Sequence, residues 1–340
     1  MDSRPKNDKR TGPAVDVLIV EPLDSDVLHW LGVRHDVHYS PELAGDVHGL
    51  RALLAEARAV VIPPSVALDA ATLRRAAQLR IVGRLSAGAE NIDLDACARA
   101  GIEVVRPASA SAAAEAEFAV GALLQMLRRV PIINDEGLLV GRELGGASVG
   151  IVGITPATRP LAQLLAAFGA RALGYDPGVH ASDAGWSRAG VEPVGLRELV
   201  ASCDALVVLL PFYPRYVGLF GERLLSEAKA NQIVVCLSHS SLFDEAALAR
   251  ALTQGLLAAA WFDSMEPGAL DPGRPLRHVD TLQVTPRVAG TTQESRVRSA
   301  WAVARRIDEL LAADSALVRE EFRPTFPGGL ADLADDPAPA

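Results

Sequence analysis

His239 closes an apolar run. In "CLSHSSLFDEAALARAL", residues 236–252, a strand-like segment gives way to a polar turn and then to a helix-like one. Groups at the C-terminal ends of strands in an α/β sheet face the ligand crevice. An imidazole placed there can serve as a proton carrier. A histidine that only fills a turn would look the same, so the chemistry depends on what gathers around it. The other chemistry-bearing stretch is "GASVGIVGITPATRPLAQLLAAFGARALGYDP", residues 146–177. A strand ends at Gly153, a helix follows, and a second strand ends at Asp176. That is the frame of a dinucleotide-binding βαβ unit, with Asp176 placed to accept hydrogen bonds from a ribose 2′-hydroxyl. The same carboxylate disfavours a 2′-phosphate, so NAD is expected over NADP.

The phosphate loop departs from its pattern. Reading G-x-G-x-x-G from Gly153 puts Thr155 and Thr158 where glycines belong. Those glycines let backbone approach the pyrophosphate and let helix pack on strand. Thr155-Pro156 nevertheless reads as a helix start, threonine as N-cap and proline in the first turn, with Ala157 next. Free N–H groups at a helix start attract anions, and Arg159 adds charge, whereas Pro156 and Pro160 each remove a donor. Two readings stay open: a working NAD site, and a βαβ unit kept for packing.

The elements that must hold these residues alternate regularly. "VDVLIV", "AVVIPPS", "LRIVGRLSAG" and "GIEVV" read as strands separated by helical stretches, and "SAAAEAEFAVGALLQMLRR" as a long helix. A second series follows from "ASVGIVG" through "ARALGYD", "DALVVLL", "NQIVVCLS", "AAAWFD" and "TLQVT" to a last helix over about 293–313. Near-continuous apolar strands alternating with helices predict parallel sheets covered on both faces. The expected class is α/β, with two doubly wound parallel-sheet domains. Of the 340 residues 22% are charged and the net charge is −9, which argues against nucleic acid or an anionic membrane as partner. No apolar run reaches the ~18 residues of a membrane span. The polar start and the Pro/Ala/Asp-rich end predict disordered tails over 1–13 and 323–340. Cys97, Cys203 and Cys236 share no metal-ligand spacing, and neither do His29, His35, His38, His48, His180 and His278. No metal site is expected, and the cysteines read as reduced, buried thiols of a cytoplasmic protein.

Taken in order, "LRIVGRLSAGAENIDLDACARAGIEVV", "AAEAEFAVGALLQMLRR", "GRELGGASVGIVG", "YDP", "DALVVLLPFYPRYVGLFG", "VVCLSHSSLFDEAALARAL", "FDSMEP" and "LQVTPRVAGTT" resemble the D-isomer-specific 2-hydroxyacid dehydrogenase family over about residues 15–320. The resemblance implies a flavodoxin-like substrate domain from 14–107 plus 293–322 and a Rossmann NAD-binding domain from 108–292. It also implies a homodimer and a small carboxylic acid as substrate. Carried over by position, Ser86, Ala87 and Gly88 match the loop whose amides hold the substrate carboxylate. Gly153, Thr155, Pro156, Ala157, Asp176, Pro211, Leu237 and Asp263 fall at cofactor-contacting places, Asp263 at the one facing the nicotinamide carboxamide.

The family's catalytic arginine, glutamate and histidine fall on His239, Glu266 and Arg287. The glutamate position is kept, and the other two hold each other's residue type. In one reading the pair is permuted: Arg287 anchors substrate, and His239, backed by Glu266, carries the proton. In the other the triad has decayed. Pro63-Pro64, Ser111 and Phe118 replace polar residues common in the family, which implies a more apolar substrate than a phosphorylated acid. The expected function is an NAD-dependent oxidoreductase acting on a small, relatively apolar 2-hydroxy or 2-keto acid. The alternative is a repurposed scaffold, for binding, regulation or chemistry without hydride transfer, with weakened NAD binding.

Overall fold

The computed structural model describes residues 15–321 except 87, 108 and 130, and of 314–321 only the backbone. The two expected tails, 1–13 and 323–340, lie outside the described residues. The chain divides into two compact units. One comprises 15–84, 88–105 and 301–321; the other comprises 85–86 and 106–300.

In the first unit five parallel strands run in the order β2-β1-β3-β4-β5. They are β1 (Val15–Ile19), β2 (Val37–Tyr39), β3 (Ala57–Val61), β4 (Ile81–Gly83) and β5 (Glu103–Val105). Four helices cover them: α1 (Ser25–Gly32), α2 (Val47–Leu54), α3 (Ala70–Arg75) and α4 (Leu94–Ala100). Each starts at an aspartate, Asp24, Asp46, Asp69 or Asp93, whose carboxylate accepts from a first-turn N–H. Such caps contribute about 1 kcal/mol apiece. On α11 (Gln293–Glu321), Trp301 meets Trp30 edge-on with centroids 5.8 Å apart, and Asp308 pairs with His35 at 2.8 Å.

The second unit holds seven parallel strands in the order β10-β9-β8-β11-β12-β13-β14. They are β8 (Ser148–Val152), β9 (Arg171–Tyr175), β10 (Glu192–Pro193), β11 (Ala205–Val208), β12 (Gln232–Cys236), β13 (Leu257–Phe262) and β14 (Leu282–Val284). Every residue of β11 and β12 is buried, because helices lie on both faces. Those helices are α5 (Ala112–Arg129), α6 (Thr158–Ala167), α7 (Ala184–Ala189), α8 (Leu196–Ser202), α9 (Glu222–Leu225) and α10 (Glu245–Thr253). Strand order reverses between β8 and β11, which opens a crevice at their C-terminal ends. The parallel α/β class expected from the strand pattern is what the chain adopts.

One element went unforeseen and two local expectations need correction. A short antiparallel hairpin, β6 (Ile132–Ile133) with β7 (Leu139–Val140), lies between α5 and β8. Its signal was the Asn-Asp-Glu-Gly turn, where Asn134 Oδ1 accepts from the N–H of Glu136 and Leu138 and Gly137 takes φ 79°. The last helix runs to Glu321 rather than about 313, since "DSALVREE" contains no helix breaker. Finally, α6 begins at Thr158 with Ala157 as its cap, not at Pro156 with Thr155 as its cap.

Candidate functional site

The site grows from the ends of β12 and β13. Asp263 N–H donates to Cys236 O at 2.9 Å, which locks the two strand ends together. Three residues past β12, His239 starts a tight turn in which Leu242 N–H bonds back to His239 O and Phe243 N–H to Ser240 O. Three residues past Asp263 lies Glu266, whose N–H donates to Ser240 Oγ at 3.0 Å. The two turns thereby brace each other and bring Glu266 Oε1 to 2.8 Å from His239 Nε2. His239 Nδ1 lies 2.6 Å from Ser241 Oγ. The Phe212 ring, from the loop after β11, lies over the imidazole at a centroid distance of 4.3 Å and 31° between planes. The histidine ring is thus held at both nitrogens and on one face. Both side chains of the pair keep 40% and 46% exposure, enough for a ligand to reach them.

Asp263 organises the neighbouring loop. It is buried, and its carboxylate accepts from Thr285 Oγ1 at 2.7 Å, Val288 N–H at 2.9 Å and Ala289 N–H at 2.8 Å. Trp261 Nε1–H donates in turn to Thr285 Oγ1 at 3.2 Å. These bonds wrap residues 285–289 around the carboxylate and force Arg287 to a left-handed φ of 59°. Arg287 N–H donates to Asp263 O, and its side chain is exposed. Behind the loop, Glu115 on α5 accepts from Ser111 Oγ at 2.7 Å. Burial pushes the Glu115 carboxyl above the usual range; the Ser111 hydroxyl opposes that rise and the nearby Asp263 charge adds to it.

The loop after β8 shows how a dinucleotide would be met. Gly153 sits at φ 108°, and a Cβ there would fall 2.6 Å from Leu210 Cα, so only glycine fits. Asp176 at the end of β9 accepts from Ile154 N–H at 2.8 Å and Gly178 N–H at 2.7 Å, leaving lone pairs for a ribose hydroxyl. The donors that would face the diphosphate are differently engaged. Thr155 N–H donates to Thr158 Oγ1, Ala157 N–H to Thr155 Oγ1, and Thr158 N–H to Thr155 O. Thr158 Oγ1 donates onward to Gly153 O at 3.0 Å. Pro156 has no N–H at all. Thr155 therefore closes the loop through its hydroxyl three residues ahead of α6 instead of capping it. The residues fit the ribose end of a dinucleotide well and its centre poorly.

Comparison with known proteins shows which family the chain is similar to. Residues 121–289 match the model described as the NAD-binding domain of D-isomer-specific 2-hydroxyacid dehydrogenases. D-3-phosphoglycerate dehydrogenase of Mycobacterium tuberculosis (H37Rv) is 32% identical over 308 residues, covering 88% of this chain and 57% of that protein. The chain thus spans little more than half the length of that relative. (S)-sulfolactate dehydrogenase of Chromohalobacter salexigens is 30% identical over 296 residues, covering 84% of this chain and 95% of that one. The chain belongs to the D-isomer-specific 2-hydroxyacid dehydrogenase family. A glyoxylate reductase from Paecilomyes thermophila shares the fold at a TM-score of 0.73 and 20% identity, covering 88% of this chain and 96% of that one.

Set on the family's positions, the structure joins His239 and Glu266 directly and places Arg287 on the Asp263 loop. Pro211 is exposed beside Phe212, and Leu237 N–H continues the ladder to Val208 O. Of the residues expected to hold a substrate carboxylate, Ser86 is exposed, Gly88 is partly buried and Ala87 lies outside the described residues. Three contributors to this site, and one buried residue of the first unit, escaped the sequence reading. Ser241 and Phe212 carried only an i+2 spacing and an aromatic after a strand as signals. Glu115 was hidden in an alanine-rich helix. In the first unit Arg84, 1% exposed, closes β4 and donates to Asn91 Oδ1. A charged residue ending an apolar strand was its visible sign. Among the described residues no three His, Cys, Asp or Glu side chains are grouped as for a metal, and no helix is long and apolar enough to cross a membrane.

Proposed function

We propose that this chain is an NAD-dependent oxidoreductase interconverting a small, relatively apolar 2-hydroxy acid and its 2-keto acid, with His239 rather than residue 287 as proton carrier. The 2.8 Å contact between His239 Nε2 and Glu266 Oε1 carries this reading. A carboxylate accepts only, so it fixes a proton on Nε2, orients the ring and stabilises the imidazolium. Phe212 holds the ring's face. Arg287 supplies the cation for the substrate carboxylate, a role suited to a planar two-pronged donor. Bound NAD would contribute the hydride acceptor, held through Asp176 at the ribose and Asp263 at the nicotinamide amide. The ligand is a small carboxylic acid; nucleic acid and membranes are not partners. The protein works in the cytoplasm as a homodimer, which light scattering would show as twice 35.8 kDa.

The occupied donors of residues 155, 157 and 158 favour a second reading, a family scaffold that binds NAD weakly and serves another purpose. Calorimetric titration with NADH beside NADPH separates the two. Micromolar, NADH-selective binding, followed by 2-keto-acid-dependent loss of NADH absorbance that His239→Gln abolishes, supports the oxidoreductase. No heat at millimolar cofactor would end that reading.

A further inference from the structure

The two partners of His239 stand in a definite chemical order. Glu266 fixes the proton on Nε2, so Nδ1 of the neutral ring offers its lone pair to Ser241 Oγ, 2.6 Å away, and the serine hydroxyl donates. Carboxylate, imidazole and hydroxyl thus lie in series, the arrangement that activates a serine as nucleophile. The turn holding them is rigid: Gly218 N–H donates to Ser241 O at 2.9 Å, and Ser240 Oγ anchors the Glu266 backbone. A cavity of about 290 Å³ adjoins, lined by Ser241, Glu266 and the apolar side chains of Val217, Phe243, Leu248 and Met265. Its polar wall carries Arg274, bound to Glu245. Glu245 Oε1 on that wall is buried without a partner, an acceptor waiting for an N–H or O–H.

We propose that Glu266, His239 and Ser241 form an acyl-transfer centre that hydrolyses small esters with an apolar acyl group and a hydroxyl or amide donor. The Ser241 oxygen bonds to the ester carbonyl carbon as its proton passes to His239 Nδ1. The tetrahedral adduct collapses, the ester C–O bond breaks, and the leaving alcohol takes that proton. Water then repeats both steps, releasing the acid and restoring Ser241. No electron is gained or lost, so the cycle needs no nicotinamide. It shares His239 and Glu266 with the proposed dehydrogenase, while Ser241 is specific to it. Arg274 is the positive charge on the cavity wall. Efficient hydrolases use paired donors, and losing one costs about 10²–10³ in rate, so the covalent step is the one to read.

The test is to treat the full chain, without NAD, with a fluorophosphonate probe and with p-nitrophenyl butyrate. Stoichiometric phosphonylation mapped to Ser241 by peptide mass spectrometry, with a burst of p-nitrophenol, is the expected result. Ser241→Ala should lose the label, and His239→Gln should slow labelling about 10²–10⁴-fold, the usual contribution of a general base. Thermal melts establish that each variant is folded. Labelling elsewhere, none above the Ser241→Ala level, or an unchanged rate in His239→Gln overturns the proposal. NADH titration of the same preparation keeps the readings apart. Cofactor binding without labelling leaves only the dehydrogenase, and labelling without cofactor binding leaves only the acyl-transfer centre.

Discussion

Glu115 combines burial with a like-charged neighbour, Asp263, and both effects push its carboxyl above the ordinary range. A carboxyl whose folded pKa lies above its unfolded value helps the fold only where it is protonated, below the unfolded value. Its contribution is lost as pH rises through the folded pKa. Glu115→Gln keeps the hydrogen bond with Ser111 and removes the charge. Urea unfolding at pH 7 should show the variant more stable by on the order of 1 kcal/mol, with the difference gone near about pH 4. A gap between variant and parent that is the same at both pH values would contradict this. A second residue-scale prediction concerns the loop after β8. Replacing Thr155 and Thr158 together by glycine releases the side-chain acceptors of two N–H groups. NADH affinity should rise about tenfold, equivalent to ~1.4 kcal/mol, as read by calorimetry. Unchanged affinity would mean that these donors do not limit binding.

At the scale of elements, β8 is wedged between neighbours. A Cβ on Gly150 would lie 2.7 Å from Leu199 Cγ on α8, 2.8 Å from Leu206 Cδ2 on β11 and 3.1 Å from Cys203 Sγ. Gly150→Ala should therefore cost about 1–3 kcal/mol through overpacking, seen as a lower urea midpoint. An unchanged midpoint would show that the α8 contact yields. The strands around it were legible because β11 is apolar along its whole length and β12 from Ile233 onward, as a doubly covered parallel sheet requires. The start of α6 was misread because a Thr-Pro pair looks like a helix cap. Thr158 pulls the preceding turn inward through Gly153 O, a tertiary contact no local pattern announces. The His239–Glu266 pairing was only half visible. Both residues could be placed by likeness to a family, but the 2.8 Å approach depends on Ser240 bracing one turn against another, 26 positions along the chain.

For the whole molecule, burial governs what reagents can reach. Burial pushes the Cys203 thiol up to about 11 and that of Cys236 up to about 12, and it raises Cys97 as well. All three are therefore protonated at neutral pH, and all three are buried. A disulfide reagent added to the native protein should find no reactive thiol, and three after denaturation. A fast-reacting thiol in the native state would reveal an opening of one unit that the packed sheets do not allow.

The left-handed backbone at Arg287 sets a conflict between endurance and activity. A side chain at φ 59° costs about 1–2 kcal/mol that glycine would not incur. Arg287→Gly should accordingly melt higher than the parent while losing substrate affinity, and Arg287→Asn, which tolerates that conformation, should lose affinity with less thermal gain. A laboratory selection for heat resistance alone would be drawn to this position first and would discard the guanidinium. A selection for turnover would restore it and accept the lower melting temperature.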